Sequence, residues 1–152
     1  MITRPTTAQL LLDCATELMQ GVLPAVSDPN AVVRIYMIEQ VIRNAAIRCA
    51  HEISWMCAEI PPVETFAHAV RQVAPNEDLT AALARLALSN DESLELDAVV
   101  EHYQCAGEVL SAALETTIID GLDELRRRGE HILKARLARE RDVMAGWSPT
   151  GR

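Results

Sequence analysis

Residues 48–60, RCAHEISWMCAEI, gather two cysteines, a histidine and two glutamates into about three helical turns. Zinc hydrolases carry H-E-x-x-H on a helix, because histidines at i and i+4 share a face and chelate the metal while the glutamate activates water. His51 and Glu52 supply the first half, but the i+4 position is Trp55, which has no lone pair to give a metal. The spacing therefore predicts no bound metal and an ordinary helix, with Cys49, Ile53 and Met56 on its apolar stripe and Cys49 as a small core residue. A carboxylate-bridged di-iron bundle needs Glu-x-x-His on two helices. The neighbours Glu64 and His68, Glu101 and His102, and Glu130 and His131 all lack that spacing.

A cysteine nucleophile needs a histidine base and an electropositive setting. Cys105 with His102, three residues apart, is the best pair in the chain, but Glu101 and Glu108 flank it and work against a thiolate. Neither a phosphate-cradling glycine loop nor a G-x-S-x-G elbow occurs. The expectation is a protein without catalytic residues, metal or cofactor.

The elements that would position these residues are helical. Hydrophobic residues make up 49% of the 152, yet only 3% are aromatic, a balance that favours helix over sheet. Thr6 or Thr7 can cap a first helix with Ala8, Leu11, Leu12, Ala15, Leu18, Met19 and Val22 inward, weakened at Gly21 and ended by Pro24. Asp28 followed by Pro29 starts a second helix, expected to run about 31 residues, or about 46 Å, before Pro61 and Pro62 stop it. One stripe on it reads Ile35, Ile38, Ile42, Ala45, Cys49, Ile53, Met56 and Ile60; a second carries Val33, Met37, Val41 and Ile47. Two apolar faces imply a central helix, or a core on one side and a partner on the other. Trp55, beside the small Ser54 and Ala58, is expected partly buried on a helix–helix seam.

PPVETFAHAVRQVAP, 61–75, reads as a short helix between prolines with Val63, Phe66, Ala67 and Val70 on one face, followed by one capped by Asn76 with Leu79, Leu83, Leu86 and Ala87 inward. The helical pattern resumes beyond SNDESLEL and runs on through Leu137, with a kink or break open at Gly121 and Gly129. The basic stretch 124–142 is interleaved with acids, Glu130 with Lys134 and Glu140 with Arg139 and Arg141, and reads as a solvated, self-paired face. The fold class is all-α, a helical bundle of five or six helices including two long ones. Residues 1–146 form a single helical domain and 147–152 a frayed tail.

A net charge of −8 argues against nucleic acid, whose binding rests on neutralising phosphates. No apolar run approaches the roughly 20 residues of a membrane span, and no signal peptide opens the chain. Four singly placed cysteines suit a reduced, cytoplasmic protein.

RPTTAQLL at 4–11, GVLPAV at 21–26 and the long helix that follows resemble a small all-helical domain of unknown function. That domain occurs beside, or fused to, aminoglycoside-phosphotransferase-like kinases, often near acyl-CoA dehydrogenases. The similarity covers about the first 60 residues, with an echo in LTAALARLALSN. This chain departs from it in lacking a basic, histidine-containing opening to the long helix and in carrying an arginine-rich C-terminal helix. The resemblance implies an accessory role beside a kinase-like or acyl-CoA-handling partner, with no catalytic residues. The expected function is thus a non-catalytic helical accessory or partner-binding protein that self-associates as a homodimer through Val33, Met37, Val41, Ile47 and Trp55. The alternative is a bundle that binds a small acyl- or CoA-type molecule between apolar walls, with the C-terminal arginines at its mouth. An enzyme built on His51 and Glu52, or on Cys105 and His102, ranks third.

Overall fold

Helix α1 (Thr7–Glu17) begins where Thr6 accepts a hydrogen bond from the Gln9 amide while the Gln9 side chain reaches back to the Thr6 amide. This reciprocal pairing satisfies two donors that a helix start otherwise leaves open. Past Glu17 the chain loosens into one π-helical turn (Leu18–Val22), tightens into a 3-10 turn (Leu23–Ala25) that contains Pro24, and leaves the helical path at Val26. The computed structural model describes residues 4–90 and 92–144, and among these it is all-α, with five α-helices and no strand. Trp147 and the expected tail at 147–152 lie outside the described residues.

Helix α2 (Pro29–Val73) opens as its sequence dictates, with the Asp28 carboxylate accepting from the Asn30 amide at 3.1 Å. It does not stop at Pro61 and Pro62, and the separate short helix expected between the prolines is its continuation as far as Val73. A proline inside a helix removes the bond to the carbonyl four residues back. Here those carbonyls belong to Cys57 and Ala58, which are exposed, as are both prolines, so water can take the place of the missing donors. The opposite face is held by burial of Ile60, Val63, Phe66, Ala67 and Val70.

Pro75 ends the run, and Asn76 caps α3 (Glu77–Leu88) by accepting from the Leu79 amide. The same side chain donates to Thr116 Oγ1 at 3.2 Å, tying the start of α3 to α4 (Leu96–Ile119). Gly121, at φ +65°, makes the left-handed residue that ends α4 and launches α5 (Asp123–Met144). Gly129 has the opposite role and stays inside α5. A Cβ there would lie 2.5 Å from Leu114 and 2.8 Å from Phe66, so its absence lets α5 press against both.

The chain divides into two compact units, Met1–Glu52 with Arg139–Arg152, and Ile53–Ala138. The second contains the main core, in which the end of α2, α3 and α4 bury Val63, Phe66, Leu79, Leu86, Val109 and Leu110 while Ile132 and Leu133 of α5 pack on them. Each of the larger side chains contributes about 1.5–3 kcal/mol by leaving water. The first unit buries little: Ala15, Ile35, Ala46 and Val143. Cys49, expected as a core residue, is exposed there, because this unit offers its stretch of α2 too few covering side chains.

Candidate functional site

The second stripe of α2 is the most exposed apolar surface on that helix. Val33 is exposed, Met37 is 63% exposed and Val41 66%, over just more than two turns, with exposed Tyr36 beside Val33 and exposed Ile38, of the first stripe, beside Val41. Ile47 and Trp55, the other two residues of the expected interface, are half-buried. At 100° per residue, Gln40 and Asn44 fall within the same face. The Gln40 side-chain amide donates to Asn44 Oδ1 at 3.0 Å, so a self-paired polar couple sits within the apolar surface. Glu39 and Arg43 form a further ion pair one turn apart on this stretch.

The polar candidates fall in different units, His51 and Glu52 in one and His102 and Cys105 in the other. His51 is exposed and Glu52 half-buried, and among the described residues no group of three His, Cys, Asp or Glu side chains converges to hold a metal. Cys105 packs against the core, whereas the ring of His102 turns to Ser89, with Nδ1 2.8 Å from Oγ. Ser89 Oγ also lies 3.0 Å from the Leu86 carbonyl, within donating distance of it. The His102–Ser89 pair pins the end of α3 to α4 and lines an open cavity of about 200 Å³ together with Cys57, Ile60, Leu94 and Val99.

The most tightly built polar group is one the sequence reading missed. Glu59 is 4% exposed, and its Oε1 accepts from Arg136 Nε at 2.9 Å, from a second Arg136 nitrogen and from the Tyr103 hydroxyl at 3.1 Å. The Arg136 guanidinium also stands over the Tyr103 ring, 5.3 Å from its centre. Burial pulls the guanidinium pKa down, but the bonds and charge of Glu59 outweigh it and hold Arg136 above its ordinary value. The cation is therefore present at every pH below the arginine range, and its stabilising contribution is lost only as pH rises through the raised value. This triad links α2, α4 and α5 through one buried carboxylate. A signal for it existed: Glu59 shares the spacing of Val63, Phe66 and Val70, and Arg136 that of Ile132 and Leu133, so both charges lie on core-facing stripes.

On the basic face of α5, Arg126 pairs with Asp123 and Arg127 with Glu124. Glu130 meets Arg126, not Lys134, and Glu140 meets Arg48 of α2 at 3.3 Å. Among the described residues no helix is long and apolar enough to cross a membrane. Comparison with family models, curated proteins and solved structures gives no match.

Proposed function

We propose that the chain is a non-catalytic helical partner-binding protein that self-associates as a homodimer through the N-terminal half of α2. The observation carrying this reading is the exposed face of Val33, Met37 and Val41 with Tyr36 and Ile38 beside it. Soluble monomers seldom leave such a contiguous apolar surface in water. A second copy presenting the same face covers it by a two-fold, the commonest closed symmetry. Gln40 and Asn44 favour this occupant, because a polar pair within an apolar helical seam fixes register at some cost in stability.

Light scattering coupled to size exclusion tests the reading, with two chain masses expected at micromolar concentration. Val41→Glu then dissociates the dimer, since an unpaired carboxylate desolvated in the seam costs several kcal/mol. A mass of one chain overturns the proposal. The resemblance at 4–60 adds the class of a further partner, a kinase-like or acyl-CoA-handling enzyme in the cytoplasm, a compartment that suits four free thiols.

A further inference from the structure

Where the last turns of α2 meet the first turns of α5, the Ile53–Ala138 unit carries a groove of about 580 Å³. That volume lies within the range of small-molecule sites, about 300–1,000 Å³. Its surface is of two kinds. Pro62, Phe66 and Ile132 make an apolar floor, and the close approach at Gly129 holds the Phe66 ring in place beneath α5. Glu124, Arg127, Arg128 and His131, within about two turns of α5, supply its charged lining.

The charges on that lining are unequal. Arg126 is neutralised by Asp123 and Glu130, Arg136 by Glu59, and Arg127 by Glu124, at 2.7 Å and also on the groove. Arg128 and His131 have no hydrogen-bond or ion-pair partner among the described residues. In a chain of net charge −8, an arginine left unmatched beside an apolar floor is the local exception. A guanidinium presents a planar fork of donors that fits a carboxylate or phosphate. An anion alone would leave the floor uncovered, and an apolar molecule alone would leave the cation unmatched.

We propose that this groove binds a small amphipathic anion, its apolar body on Pro62, Phe66 and Ile132 and its carboxylate or phosphate head against Arg128 and His131. The site is separate from the self-association face and uses none of its residues.

The probe is monomeric octyl phosphate, titrated into the full chain by calorimetry and by NMR, with inorganic phosphate and octanol in parallel. Octyl phosphate is expected to saturate, with shifts centred on 62–66 and 124–132, and to bind at least about tenfold more tightly than either fragment. Arg128→Gln weakens octyl phosphate about tenfold and leaves octanol unchanged. Thr65→Trp, at an exposed position on the groove, blocks it. Both substitutions fall on exposed side chains, and unchanged melting of the free variants verifies that they fold. The proposal is overturned if octyl phosphate binds no better than phosphate, or if either variant binds it as the parent does. Sedimentation with phosphatidylglycerol vesicles, without binding of the monomer, overturns it equally, because the surface would then recognise a membrane.

Discussion

In the Ile53–Ala138 unit, four helical segments share one set of large buried side chains, and even the charged Glu59 and Arg136 are matched inside it. In the other unit, α1 and the first half of α2 carry comparable apolar stripes, yet Leu10, Val33, Met37 and Val41 face water. Apolar content alone does not make a core. What differs is the supply of covering surface within each unit, and this lets one bury its stripe while the other leaves an apolar face in water.

Substitution separates the two units. Leu86→Ala, at a fully buried position of α3, costs about 2.7–5 kcal/mol of unfolding free energy in urea, from lost transfer and the cavity left behind. Arg136→Met follows at about 3 kcal/mol, the low end of the cost of orphaning a buried charge because the Arg136 side chain keeps 33% of its exposure. The double variant Glu59→Leu with Arg136→Met recovers most of that loss. A double variant no more stable than Arg136→Met would show that the triad contributes more than charge balance. Gly129→Ala gains helix propensity but drives a methyl into Leu114 and Phe66, for a net loss of about 1–3 kcal/mol visible as a lower melting temperature. Smallest is Val41→Ala: below the dissociation concentration it shifts unfolding by no more than about 0.5 kcal/mol. A loss near that of Leu86→Ala would mean that the chain itself buries this stripe.

Helix content, the caps at Thr6, Asp28 and Asn76, and the inward face of α3 were legible because each depends on residues within a few positions of one another. The course of α2 through Pro61 and Pro62 was not, since it turns on which face of the helix the prolines occupy and on what buries the other. Cys49 shows the same limit, because periodicity marks a face without saying whether anything covers it. The Glu59–Arg136 bond spans 77 residues, and no local pattern names a partner at that distance. The pairing of His102 with Ser89 was hidden likewise, and Cys105, the nearer residue in sequence, drew attention from it. For the groove, the sequence offered the arginines and the apolar stripe separately, but not which arginine lacks a counter-charge.

The tandem proline in α2 bears on how the helix opens. Pro61 and Pro62 bring no amide hydrogens, so the ladder of bonds lacks two successive rungs although the helical path is unbroken. Fraying that begins among the lightly covered turns after Pro29 travels by breaking one rung after the next, and it meets a gap before it reaches Val63. Amide exchange should therefore divide a helix that looks continuous. Protons over 63–73 exchange on the slow timescale of global unfolding, and those over 33–50 exchange through local opening that leaves the core intact.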